Sequence, residues 1–155
     1  MSVSNPSSSV QADSTSGNPV EQKSTAGAAH VLATSSYPAG ATAITAASGN
    51  VAAATAAATL AAVAGKTTHI AGFSITGAGA TTALPVIVTV TNTITGTLSY
   101  TYVAVAGVLL ANTPLHVQFN PPIPASATNT TIVVSCPTLG AGNTHNAAVA
   151  YGYRI

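Results

Sequence analysis

Charge is the scarcest property of this sequence. Three basic and two acidic residues stand among 155, so 3% of the chain is charged, where about 25% is usual. Both acids, Asp13 and Glu21, fall near the start, and residues 30–155 contain no carboxylate side chain. That absence excludes most hydrolytic chemistry. A glycosidase needs a carboxylate pair, a Ser-His-Asp triad needs its acid, and Mg²⁺ or Ca²⁺ sites are built mainly from carboxylates. Lys23, Lys66 and Arg154 are far apart in the sequence, so no basic patch offers counterion release from a nucleic-acid backbone. A chain so poor in charge tends to associate with other protein surfaces.

Tryptophan is missing, and Cys136 is the single cysteine. No disulfide forms within the chain, and Cys136, at the end of an apolar run before Pro137, reads as a small buried hydrophobe. The opening residues lack a basic segment followed by an apolar core, so the expectation is a protein made and assembled in a cytoplasm. The run "VAAATAAATLAAVAG" (51–65) is shorter than the roughly 20 residues that span a bilayer and carries Thr55 and Thr59. The reading is therefore no membrane and no nucleic acid.

Phosphate-binding signatures are also missing. "GAGA" (77–80) lacks the GxGxxG spacing and a following helix, and reads as a turn. The four histidines, His30, His69, His116 and His145, show no i+2 or i+4 spacing. A zinc site assembled in space or across a symmetry axis would need three of them to converge; the expectation is no metal, no cofactor and no catalytic residue. A Cys136–His nucleophile pair is conceivable, but nothing around Cys136 in the sequence would activate it.

What is present falls into two parts. Residues 1–29 are Ser, Asn, Gln, Thr, Gly and Pro with scattered valines and no period. Such a segment cannot bury enough apolar area to offset an ordering cost of roughly 1–2 kcal/mol per residue. It is expected to be an extended N-terminal arm held by a partner, through backbone pairing to a sheet edge and small apolar anchors. Val3, Pro6, Val10, Pro19 and Val20 are the candidate anchors.

From residue 30 to residue 155 the pattern is strand-like. "LPVIVTVTN" (84–92) sets Val86, Val88 and Val90 against Ile87, Thr89 and Thr91. "TLSYTYVAV" (97–105) aligns Leu98, Tyr100, Tyr102 and Ala104. "PLHVQF" (114–119) sets Leu115, Val117 and Phe119 against His116 and Gln118. "THIAGFSIT" (68–76), "TTIVVSC" (130–136), "ATAIT" (41–45) and "AAVAYGYRI" (147–155) complete the series. Period 2 with β-branched residues and regular turn signals predicts an all-β fold, a single antiparallel β-sandwich of jelly-roll type. The Ala run has high helix propensity, but Gly49-Asn50 and Gly65-Lys66 bracket it as turns, and it reads as a thin strand. "NPPIPASATN" (120–129) is expected to be a loop, because its prolines cannot donate to a ladder. Paired tyrosines on two strand faces (Tyr100 with Tyr102, Tyr151 with Tyr153) read as core or interface, with a ligand platform as the other reading.

Three linked motifs carry a resemblance: the run "TLAAVAGKTTHIAGF", the loop "PIPASATNT" and the turn "GAGNT" before a final aromatic strand. Across residues 49–155 the chain resembles small virion structural proteins of tailed bacteriophages. That resemblance implies a compact β-sandwich without catalytic residues, acting as a capsid decoration (cement) protein. The implied partners are the major capsid protein and further copies of the chain, as a homotrimer, on the capsid surface of the virion. The alternative is a head-fibre, tail receptor-binding or connector module whose sandwich binds a cell-surface glycan through the tyrosines.

Overall fold

The computed structural model describes residues 37–82, 84–107 and 113–155. The arm, the boundary expected at residues 29/30, and the anchors Val3, Pro6, Val10, Pro19 and Val20 lie outside the described residues. Eight strands run in chain order: β1 (Thr42–Ala47), β2 (Ala56–Leu60), β3 (Thr68–Ala78), β4 (Leu84–Thr93), β5 (Gly96–Ala104), β6 (Leu115–Pro124), β7 (Ile132–Cys136) and β8 (His145–Arg154). The described residues contain no helix.

The strands form two four-stranded antiparallel sheets, ordered β1-β8-β3-β6 and β2-β7-β4-β5. Within them β1 pairs with β8, β2 with β7, β3 with β6 and β4 with β5. The chain thus behaves as one long hairpin, its tip at the β4–β5 turn, folded over itself into two layers. This is the eight-stranded jelly roll, and the all-β sandwich expected from the alternation is the fold observed.

Alternation fixes which side chains fill the space between the layers. Val88 and Val90 of β4, Ile132 and Val134 of β7, and Ala56, Ala58 and Leu60 of β2 are fully or almost fully buried. Their neighbours Ile87, Ala57 and Thr59 face outward. Each fully buried Val, Leu or Ile contributes about 1.5–3 kcal/mol. The Ala run is therefore a strand at residues 56–60 only, and its small side chains let β2 lie close over the core.

The opposite layer mates large with small. Ile70, Phe73 and Ile75 of β3 stand beside Gly152, Ala150 and Ala148 of β8, all facing the core. A Cβ at Gly152 would overlap the carbonyl oxygen of His69, and one at Gly72 would meet both Tyr151 Oη and the Val117 carbonyl oxygen. Glycine at these two positions allows the backbones of β8, β3 and β6 to approach where β3 carries a bulge at Ala71. The bulge shifts the alternation, so that Ile70 and Phe73, three apart, both point inward.

Two local expectations are corrected. Residues 120–124 are not loop: β6 continues through Pro121, Pro122 and Pro124. The prolines are tolerated because β6 is an edge strand, and because its register jumps from Gln118↔Gly72 to Ile123↔Ile70, leaving Pro121 and Pro122 in the bulge without ladder partners. Asn120-Pro121 is a cis peptide. Likewise only the second half of "GAGA" turns; Gly77 and Ala78 are the last residues of β3, opposite Asn146 and His145.

Candidate functional site

The side chains able to do chemistry are dispersed. His69, His116 and His145 share the outward face of the β1-β8-β3-β6 sheet, but on three different strands. His69 stacks on Tyr153, with ring centroids 4.6 Å apart and planes at 10°, and its Nδ1 lies 3.3 Å from the Thr67 carbonyl oxygen. His145 Nε2 is 3.2 Å from Thr76 Oγ1. His116 is exposed on the β6 edge, opposite Ser74. Among the described residues no three His, Cys, Asp or Glu side chains come together as a metal site. His30 lies outside the described residues.

Cys136 is the last residue of β7 and points into the core. Burial pushes its thiol up to about 11, and a side-chain hydrogen bond with Asn146 offsets only part of that rise. A thiol held neutral at physiological pH is a poor nucleophile, so the geometry treats Cys136 as a packing residue. Its neighbour Asn146 is fully buried. The Asn146 amide donates to the carbonyls of Ala54 at 2.9 Å, Pro137 at 3.0 Å and Cys136 at 3.3 Å. It ties the approach to β2, the end of β7 and the start of β8 into one knot.

The two tyrosine pairs divide. Tyr100 and Tyr102 face the core. Tyr100 meets Phe73 edge-on at 5.3 Å, and burial raises its phenol pKa. Tyr151 and Tyr153 face outward, but Tyr153 is itself buried, with Tyr37 5.0 Å away on one side and His69 stacked at 4.6 Å. Its ring is occupied by protein neighbours and does not present a face for a sugar or a base.

The surface of the second sheet has a different character. Its outward face is built from Thr, Ser, Val, Ala, Pro and Ile, without a charged side chain. On β4 and β5, Ile87 and Val103 are 49% and 53% exposed, and the register sets Pro85 opposite Val103 and Ile87 opposite Thr101. Leu84 is also exposed, at the start of β4. Lys66 and Arg154, the only charged side chains among the described residues, lie toward the other end of the sandwich. There the Asn129 N–H donates to the Lys66 carbonyl oxygen, the Ser126 N–H to that of Asn92, and Arg154 Nε to that of Ala61. The outward direction of Ile87 was legible in the strand period. That this face stays uncovered, and that β5 is an edge, was not, because both depend on sheet order.

No family model, curated protein or solved structure matches this chain. The functional reading therefore rests on the fold, on these surfaces and on the quoted sequence motifs.

Proposed function

We propose that this protein is a capsid decoration (cement) protein, which binds the outer surface of the major capsid protein shell of a tailed bacteriophage and stabilises the head. The observation that carries the reading is an eight-stranded jelly roll whose β2-β7-β4-β5 sheet offers a neutral, Ser/Thr/Val-rich outward face. Jelly rolls recur in viral capsid and lectin domains; that is an argument by fold analogy. The near absence of charge suits a surface that spends its life against other protein, and the motifs in residues 49–155 point the same way.

The mechanism is mechanical. The sandwich is a rigid body that seats on the shell lattice. The arm, residues 1–29, runs extended over the capsid protein or a neighbouring copy, with Val3, Pro6, Val10, Pro19 and Val20 as its apolar anchors. Each copy then bridges adjacent capsomers and resists the outward pressure of the packaged genome. A glycan-binding role through the tyrosines finds less support, because Tyr153 is covered by Tyr37 and His69.

The test is stoichiometry on purified particles, measured by quantitative mass spectrometry against the major capsid protein. A simple whole-number fraction of the capsid protein is expected. Removing residues 2–27 should strip the protein from particles while the circular dichroism of the body stays unchanged. A few copies per particle, or full occupancy without the arm, would overturn the proposal.

A further inference from the structure

We infer that the sandwich binds a single internal water molecule between the side chains of Asn143 and Asn146, as a hydrogen-bonding link between the loop before β2 and the loop before β8. The inference rests on the interior of the sandwich and does not depend on the virion reading.

Asn143 is 2% exposed and Asn146 0%. Each amide is only partly satisfied. Asn143 Nδ2 and Asn146 Oδ1 are shut away from solvent and meet no hydrogen-bond partner in the protein. Buried polar atoms of folded proteins are nearly always paired, either with protein or with an ordered water.

The surrounding bonds place the two side chains in one corner. On one side runs the segment before β2. The Val51 N–H donates to the Asn146 carbonyl oxygen at 3.0 Å, and the Ala53 N–H to that of Asn143 at 3.0 Å. Asn146 Nδ2 reaches the Ala54 carbonyl oxygen at 2.9 Å. On the other side lies the segment after β7. Thr138 Oγ1 donates to Asn143 Oδ1 at 2.9 Å, and Asn146 Nδ2 donates to the Pro137 carbonyl oxygen at 3.0 Å. Asn143 therefore stands between Ala53 and Thr138, and Asn146 between Ala54 and Pro137, one residue along on both segments.

The chemistry of the two free atoms selects the ligand. One is a donor and the other an acceptor, so a cation would face the Asn143 amide hydrogens and an anion the Asn146 oxygen. A neutral molecule that both accepts and donates is required, and the enclosure of both side chains selects the smallest one. The Asn146 amide is oriented by the three carbonyls it serves. Turning the Asn143 amide over would let Nδ2 donate to Thr138 Oγ1 and free Oδ1 instead; a water then donates to both oxygens. The Cys136 thiol is directed at the Pro137 carbonyl oxygen, at 3.5 Å.

A high-resolution crystal structure of the full chain tests this, together with magnetic relaxation dispersion of the water oxygen nucleus in solution. Density for one water within hydrogen-bond distance of both amides is expected. The dispersion should lose the amplitude of one long-lived water in Asn143→Leu, a variant close in volume that lacks the amide. Circular dichroism checks that this variant folds; if it does not, the density in the unaltered chain decides. A direct Asn143–Asn146 hydrogen bond with no density between the two amides, or a dispersion amplitude unchanged in a folded Asn143→Leu, would overturn the inference.

Discussion

The side-chain amide of Asn146 donates to the carbonyl oxygen of Pro137 at 3.0 Å, inside a sandwich that is otherwise almost wholly apolar. The same nitrogen also faces the carbonyls of Ala54 and Cys136. Asn146→Ala should leave these buried acceptors without their donor and destabilise the fold by about 1–3 kcal/mol. Asn146→Leu, which restores volume but not the amide, should not recover the loss. Urea unfolding midpoints of the three proteins check both statements; a stable leucine variant would show that packing, and not hydrogen bonding, is what the site requires.

Phe73 is the largest fully buried side chain of the core. It is fully buried and contacts Tyr100 of β5 at 5.3 Å and Phe119 of β6 at 6.2 Å between ring centroids. Those two strands belong to different sheets and are both edges, so Phe73 is the ring through which the two margins meet. Phe73→Ala should cost about 3–5 kcal/mol. Phe73→Leu should cost clearly less, as chemical denaturation will read.

Cys136 makes stability depend on pH at the alkaline side. Its thiol titrates near 11 in the fold against 9.0 in the unfolded chain. The folded value is the higher one, so the unfolded state releases its proton first as pH rises. The contribution is complete below pH 9.0 and is lost progressively up to about 11, amounting to about 2 kcal/mol at the upper end. Subtracting the profile of Cys136→Ala removes the background from the tyrosines. A difference profile flat across that window would refute the burial argument. The native thiol should also resist a disulfide-exchange reagent at neutral pH.

Much of the layer structure was legible residue by residue. Val88 and Val90 alternate with Thr89 and Thr91, and Leu115 and Val117 with His116 and Gln118, and each apolar set faces the core as the period of two requires. The Ala run yielded to its flanking turns, since Ala56 and Ala58 are small enough to pack under a second sheet. The prolines after Asn120 misled because the rule against proline applies to central ladders; Pro124, although opposite His69, lies on the edge strand β6. Pro121 and Pro122 sit in a bulge on an edge, where no donor is needed. The sequence shows the histidines without metal-ligand spacing; that His69, His116 and His145 share one face of a sheet came only from the pairing of β8 and β6 with β3.

The sequence by itself determined the class of fold, the inward set on most strands, and the absence of carboxylates from residues 30–155, because these depend on local period and composition. Only the tertiary structure decided the wrapping of β1 on β8 through β4 on β5, the convergence of Ala54, Cys136 and Pro137 on Asn146, and the place of β5 at the end of its sheet. Those features join residues distant in the chain, as in the pairing of Thr42 with Arg154 and the hydrogen bond from Ala148 to Ser48, 100 positions away. Local propensity carries no information about which strand will lie beside which; that choice is made when both layers bury their apolar faces at once.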